Sequence, residues 1–138
     1  MLPTIVETTA EVMAVDLQQV TASTGAELLY DASDPWAVTL IVHTGSRGRV
    51  HWMFARSLLT DAVVAGGAYG RVGDGDVGIM VRGSHVLLEL TSPSGRAILR
   101  LPRADVDRLL DEAEQLVPEG SETVDWRREL ALLAGEDA

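Results

Sequence analysis

The chain has 138 residues, the length of one ordinary domain, and 46% of them are hydrophobic, as in globular proteins. The formal net charge is −10 and all 11 basic residues are arginine, so a lysine Schiff base and the lysine of a phosphate-binding P-loop are excluded. Cysteine is absent, which excludes disulfides and thiolate chemistry, and the acidic balance disfavours nucleic-acid binding.

No segment of the sequence reaches the roughly 18 apolar residues that a membrane-spanning helix needs. Residues 1–12 contain no basic residue and no continuous apolar run, so we expect no signal peptide. Together these features predict a cytoplasmic protein that forms a single domain over residues 1–138.

The first third of the sequence predicts strands joined by short turns. Apolar residues alternate between Thr4 and Leu17, which predicts a long first strand, and residues 26–30 predict a second strand after a turn at residues 21–25. The segment from Asp31 to Pro35 predicts another turn, because aspartate side chains bond the backbone two residues on and proline holds the preceding residue extended. Trp36 then begins a third strand, with its side chain either in the core or at its rim.

Residues 36–43 and 50–54 predict a β-hairpin whose even-numbered apolar residues share the buried face. We expect Val42 to face Trp52 and the loop to contain the five residues from Gly45 to Arg49.

Two histidines lie on the other face of this predicted hairpin. In the expected register His43 faces His51, close enough to share a metal ion. Zinc needs a third protein ligand, and the nearby residues of that face are not acidic, so hydrogen-bonded structural histidines are favoured over a metal site.

The rest of the sequence predicts a helix at residues 55–66, an open connection with six glycines up to Gly78, and a long helix from Pro102 to the segment 117–120. Between them we expect three short strands, at residues 76–81, 85–90 and 97–101. A last short helix is expected around residues 126–133. The predicted fold class is therefore α+β, with a mostly antiparallel seven-stranded sheet and two or three helices.

The glycine-rich connection is the first candidate for chemistry. It precedes a strand and carries Asp74 and Asp76, which would repel phosphate, and it lacks the motif of a phosphate-binding loop. These aspartates also lack the further oxygen ligands of a calcium loop, so a solvated turn is favoured.

A second candidate is the aspartate pair of the turn, Asp31 and Asp34, which would be a general acid and base in a catalytic site. Capping of the turn is the favoured interpretation. We therefore predict no catalytic residue, no metal ligand and no cofactor, and a protein that is not an enzyme.

The last candidate is a place for a partner to bind. Trp126 would either anchor a neighbouring subunit or dock its own helix, with docking favoured because short helices depend on tertiary packing. Trp126, Arg127 and Arg128 are the starting points for mapping a partner-binding site.

The sequence as a whole resembles the SsgA-like proteins, which act in sporulation and cell division of actinomycetes. The resemblance rests on motifs in the same order along nearly the whole chain. They are Tyr30-Asp31, Asp34 to Val38, His43 to Gly45, Val50, Trp52, Phe54 to Arg56, Leu58-Leu59, Gly73 to Val77, Ser92 to Gly95, Leu101 to Ala104, Val117-Pro118, Gly120 and Glu122. The chain departs from the family pattern at Trp36, Ser57, residues 66–70, Trp126 and Arg127.

This resemblance implies a non-enzymatic protein that helps to place the septum, in the cytoplasm and at division sites. SsgB-type members, the subgroup expected here, are understood to recruit the tubulin-like protein FtsZ, so FtsZ and other divisome or SsgA-like proteins are the implied partners. A homotrimer is the implied assembly. The implied fold resembles the Whirly and mitochondrial guide-RNA-binding proteins.

That fold relative suggests a second hypothesis, a module that binds single-stranded nucleic acid. A fold does not carry its function with it, and a net charge of −10 opposes a phosphate-binding surface.

Overall fold

The computed structural model describes residues 2–14, 19–45, 48–68, 70–73, 75–93 and 95–121. These residues form one seven-stranded antiparallel sheet and two helices. In chain order the elements are β1 (Thr4–Met13), β2 (Val20–Tyr30), β3 (Ala37–His43), β4 (Arg49–Ala55), α1 (Arg56–Ala65), β5 (Val77–Arg82), β6 (His85–Ser92), β7 (Gly95–Pro102) and α2 (Arg103–Leu116). The predicted α+β class is confirmed, while the expected last helix at 126–133 lies outside the described residues.

The sheet has the strand order β4-β3-β2-β1-β7-β6-β5, so the first and last strands of the chain meet in its middle. Helix α2 packs on the central strands β1, β2, β6 and β7, whereas α1 contacts both edge strands, β4 and β5. Because one helix touches the two opposite edges, the sheet must curve around the helices. We call the side that holds the helices the inner face and the opposite side the outer face.

The core lies between the inner face and the helices, and alternation along each strand selects it. Even-numbered residues of β1 to β4 and β6, and odd-numbered residues of β5 and β7, point inward. The largest fully buried side chains are Tyr30, Leu28, Leu40, Leu59, Ile79, Leu88, Leu90, Leu101, Leu109, Val6, Val38 and Val86. Each buried aliphatic side chain of this size stabilises the fold by about 1.5–3 kcal/mol relative to exposure.

Two predictions for the first strands are wrong. Strand β1 ends at Met13, and residues 21–25, expected to form a turn, belong to β2 and pair with β1. The chain reverses earlier, where the Ala14 N–H donates to the carbonyl of Gln19 at 2.8 Å. Threonine favours extended structure, and pairing with β1 outweighed the glycine and alanine of this segment, which are uncommon in strands.

The hairpin of β3 and β4 has the predicted faces but a different register. Val42 pairs with Val50 and Leu40 with Trp52, a shift of two residues from the expected pairing. The loop between the strands still has five residues, now Thr44 to Gly48, and is closed by the Thr44 N–H donating to the Gly48 carbonyl at 2.8 Å. A shift of two leaves every side chain on its predicted face, so the core is unaffected.

The predicted helices and strands from residue 55 to residue 117 are confirmed: β5 is shifted by one residue, and β6 and β7 are two and three residues longer than expected. Pro102 was expected within the first helical turn, but it is the last extended residue before α2. Its φ of −60° suits either position.

Candidate interaction surface

The turn between β2 and β3 is held by Asp31. The Ser33 N–H and hydroxyl both donate to Asp31 Oδ1, at 2.9 and 2.8 Å, and the Asp34 N–H donates to the Asp31 carbonyl at 2.9 Å. The two bonds from Ser33 favour the ionised carboxylate and lower the pKa of Asp31 below its ordinary value. The structure thus gives Asp31 the capping role that the sequence favoured over acid–base catalysis.

Because the pKa of Asp31 is lower in the folded protein than in the unfolded chain, its contribution to stability is present above the unfolded pKa. That contribution is lost as the pH falls through the lowered pKa. We expect Asp31→Ala to melt at a lower temperature than the wild type at pH 7, and the gap to close at strongly acidic pH. Thermal melts followed by circular dichroism across this range test the expectation, and a gap independent of pH would contradict it.

Next to the turn, the buried Arg56 joins four elements of the fold. Its side chain is 3% exposed, and its guanidinium donates to the Tyr30 hydroxyl at 3.1 Å, the Val117 carbonyl at 2.7 Å and Glu114 Oε2 at 2.9 Å. The guanidinium carbon also lies 5.2 Å from the centroid of the Tyr30 ring. The Tyr30 hydroxyl in turn donates to the Pro35 carbonyl at 3.1 Å. We call these five residues the Arg56 network.

The Arg56 network brings four of the motif residues into contact, namely Tyr30, Pro35, Arg56 and Val117. It ties the end of β2, the following turn, the start of α1 and the end of α2 to one another. No role was predicted for Arg56, although position 56 lies on the same helical face as Leu59 and Val63, where an apolar residue would be expected. An arginine on this otherwise apolar helical face was the feature from which a buried charged contact could have been predicted.

On the outer face, His43 pairs with a carboxylate and not with His51. His43 Nε2 lies 3.0 Å from Glu27 Oε1, while His51 is opposite Ile41 in the hairpin. The expectation that His43 and His51 face each other, with no acidic residue near them, is wrong on both counts. Glu27 comes from β2, the neighbour of β3 on its other side. Within the described residues no three histidine, aspartate or glutamate side chains form a group that could hold a metal.

Part of the glycine-rich connection lies against the outer face of β5 and β6. The Arg71 side chain passes over Gly78, where an added Cβ would lie 2.2 Å from the guanidinium, and it pairs with Glu89 at 3.6 Å. Asp74 lies outside the described residues, and Asp76 is exposed. Arg71 thus lies over apolar side chains of β5, β6 and β7.

The outer face of β1 to β4 carries an apolar row across four strands. The pairing places Ile5 beside Leu29, Leu29 beside Thr39 and Thr39 beside Met53. Ile5 is 49% exposed and Met53 is 64% exposed. We call these four residues the outer row. Neither described helix packs on this side, so the outer row faces away from both, with half-buried Leu29 and Thr39 between the exposed ends Ile5 and Met53.

Two arginines of the outer face are paired with carboxylates. Arg71 pairs with Glu89 and Arg100 with Glu11 at 2.9 Å, so these cations are already neutralised by carboxylates. Glu7, beside the outer row, adds a further negative charge. Three exposed arginines, Arg49, Arg82 and Arg96, also point to this face by their positions in the strands, so its charge is mixed in sign.

The sequence-predicted starting points Trp126, Arg127 and Arg128 lie outside the described residues, so the structure does not place them. Neither α1 nor α2, the two described helices, has the length and apolar character needed to cross a membrane.

Comparison with known proteins gives the chain its context. The sequence profile of the family described as Streptomyces sporulation and cell division protein, SsgA, matches residues 24–122, well over half of the chain. The match includes the Asp31 turn and all five residues of the Arg56 network.

Individual relatives agree with the profile. The sporulation-specific cell division protein SsgB of Frankia casuarinae is 39% identical over 114 residues, which cover 78% of this chain and 76% of the relative. SsgB of Streptomyces coelicolor is 38% identical over 101 residues, covering 70% of each chain. These relatives are named as cell-division proteins and not as enzymes.

Solved structures show the same fold. A structure from work linking mutations in SsgB to longitudinal cell division during sporulation of Streptomyces coelicolor matches with a TM-score of 0.72 and 32% identity, over 88% of this chain and 95% of that one. The SsgA-like sporulation-specific cell division protein of Thermobifida fusca matches with a TM-score of 0.78 and 28% identity, over 96% of both chains. Profile, relatives and fold agree, and this chain belongs to the SsgA-like family of sporulation and cell-division proteins.

Proposed function

We propose that this protein helps to position the division septum by binding other proteins, FtsZ above all, and that it catalyses no reaction. The observation that carries the proposal is the outer row, three apolar residues and a threonine aligned across four strands on the face opposite to the two described helices. The family membership supports a role in sporulation and cell division, because its relatives are named for that role.

The outer row has the physical properties of a protein-binding surface. Four neighbouring strands span about 15 Å at the spacing of a β-sheet, and their hydrogen bonds hold the side chains in fixed positions. Binding therefore requires little ordering of this surface, which favours affinity. Exposed aligned apolar side chains bordered by charged residues are typical of sites where another protein docks.

The proposal includes the assembly and the location that the family resemblance implies: a homotrimer in the cytoplasm, gathered at division septa. A trimer would present three copies of the outer row, and binding to a polymer through several copies strengthens attachment without any new contact. Because of this multivalency, a protein that recruits a filament such as FtsZ binds it more strongly as an oligomer.

Co-sedimentation with GTP-assembled FtsZ from the same genome tests the proposal. We expect the wild type to pellet with FtsZ in a saturable manner, and Ile5→Glu to weaken this binding at least about tenfold, since a charge would be desolvated within the contact. Val64→Glu is the matched control. Val64 is 81% exposed on α1, at the inner side, and the substitution adds the same charge.

Equal loss of binding in both variants would point to net charge and would remove the outer row from the proposal. A wild type that remains in the supernatant at every concentration, while FtsZ polymerises, would remove direct recruitment of FtsZ itself.

A further inference from the structure

The two edge strands of the sheet, β5 and β4, differ in whether a further segment pairs with them. At the β5 edge, Val72 forms a bridge with Ile79, with N–H to carbonyl distances of 2.7 and 2.9 Å in the two directions. The β4 edge has no such partner among the described residues, although β4 has seven residues and contains neither proline nor lysine. Proteins normally protect an open edge strand, because its unpaired backbone groups are a template for another strand.

Two hydrogen bonds determine which backbone groups of β4 point away from the sheet. The Arg56 N–H donates to the Trp36 carbonyl, and the Thr44 N–H donates to the Gly48 carbonyl, each at 2.8 Å. Both bonds join even-numbered residues, and hydrogen-bonded pairs alternate in an antiparallel ladder. The even residues of β4 therefore bond β3, and the odd residues point their N–H and carbonyl groups outward. These are Arg49, His51, Met53 and Ala55.

The side chains of β4 are also incompletely covered. Val50 points inward by its position yet is 42% exposed, and Met53 on the outer face is 64% exposed. A strand added beside β4 would therefore bury apolar side chains on both faces as well as satisfy the outward backbone groups.

The charges at the two ends of β4 are opposite. Arg49 begins the strand, and Ala55 at its other end borders a cleft of about 420 Å³ between β4, α1 and the segment before β5. Asp61 and Asp76 line this cleft, and both are exposed. A strand could run antiparallel to β4 and place a cation at the Ala55 end. That cation would then lie beside two carboxylates.

From these features we propose that β4 pairs with β4 of a second copy of this chain, antiparallel, across a two-fold axis through Trp52. In this register Arg49 is opposite Ala55 of the partner subunit, and His51 is opposite Met53 of the partner subunit. All of these are odd-numbered residues, so the outward backbone groups of the two strands meet one another. A second copy of this chain is the partner that the charges favour, because β4 has a cation at one end and borders the acidic cleft at the other.

The register is specific because each end repeats the same complementary contact. Arg49 of one copy enters the cleft of the other, where Asp61 and Asp76 lie within reach of a long side chain. On the inner face, Val50 lies opposite Phe54 of the partner subunit, which covers the exposed part of its side chain. In a two-fold contact of this kind, each subunit contributes the same surface patch.

Charge exchange tests this contact without disturbing the fold, since the residues changed are exposed. We expect wild-type protein to self-associate in sedimentation equilibrium, and Arg49→Asp or Asp61→Arg alone to weaken the association about tenfold. An equimolar mixture of the two variants should recover it, because the exchanged charges face each other at one end of the pair and the native contact remains at the other. Each variant alone, at the same total concentration, is the control.

Met53→Pro is an independent test of the backbone pairing. The Met53 N–H points outward, so proline there removes no bond to β3 and is tolerated on an edge strand, but it blocks a strand beside it. We expect loss of the two-fold contact with an unchanged circular dichroism spectrum.

The assembly should contain an even number of chains: two, or six if the proposed trimer also forms. A wild type found only as a monomer or a trimer, or variants that associate as the wild type does, would overturn the inference. These readouts are independent of FtsZ, so they fail or succeed separately from the proposed function.

Discussion

Arg56→Ala is expected to lower the free energy of unfolding by about 3 kcal/mol, a loss typical of removing one member of a buried charged network. The substitution deletes the three hydrogen bonds that the guanidinium donates to Tyr30, Val117 and Glu114 and leaves a cavity beside the Tyr30 ring. Urea denaturation measures the change. For a domain of this size the melting temperature should fall by about 10 °C.

Two further variants show whether this loss belongs to the Arg56 network. Arg56→Lys keeps the positive charge but not the planar set of donors, so it should still lose more than half of the stability lost in Arg56→Ala. Arg103→Ala is the matched control, because Arg103 is 36% exposed and its pair with Asp107, at 3.6 Å, links neighbouring turns of α2. Its cost should be below about 0.5 kcal/mol. A cost for Arg56→Ala as small as that of Arg103→Ala would show that the network does not stabilise the fold.

The Arg56 network also fixes the position of the outer row. Tyr30 and Leu29 are consecutive residues at the end of β2, and their side chains point to opposite faces. The bonds that hold Tyr30 on the inner face therefore hold the backbone that presents Leu29 on the outer face. The motif residues Tyr30 and Arg56 thus stabilise the inner side of the strand whose outer side presents the proposed binding surface.

The sequence predicted those features that depend on local periodicity. The faces of β3 and β4, the two helices and the strands β5 to β7 follow from apolar spacing and were placed within a few residues. The register of the β3–β4 hairpin was wrong because a shift of two residues keeps every side chain on its face. Periodicity cannot distinguish such registers, whereas the packing of Trp52 beside Leu40 and the closure of the loop can.

Features that depend on the order of strands in the sheet could not be predicted. The partner of His43 is Glu27, which belongs to β2, and sequence spacing within the β3–β4 hairpin contains no information about that strand. The open β4 edge and its acidic cleft likewise could not be predicted, because they depend on β5, which begins 22 residues after the end of β4, forming the opposite edge. These are tertiary relationships, and the candidate surfaces of this protein consist mainly of them.

Gly67→Ala is the other substitution with a large expected effect. Gly67 follows α1 with a φ of +87°, and an added Cβ would lie 2.5 Å from the backbone carbonyl oxygen of Val81 in β5. That oxygen belongs to a strand and cannot move aside as a flexible side chain would. Backbone strain and this clash together should lower the free energy of unfolding by about 3 kcal/mol, measured by urea denaturation.

Gly66→Ala separates the two causes. Gly66 is also left-handed, with a φ of +60°, and its N–H donates to the carbonyls of Ala62 and Val63 at the end of α1, but an added Cβ meets nothing within 4 Å. Its cost should be about 1 kcal/mol, the usual penalty for a side chain in this conformation. The difference between the two variants isolates the close contact between the chain after α1 and β5. If the two costs are equal, that contact does not hold α1 against the β5 edge, and the curvature of the sheet must depend on the core alone.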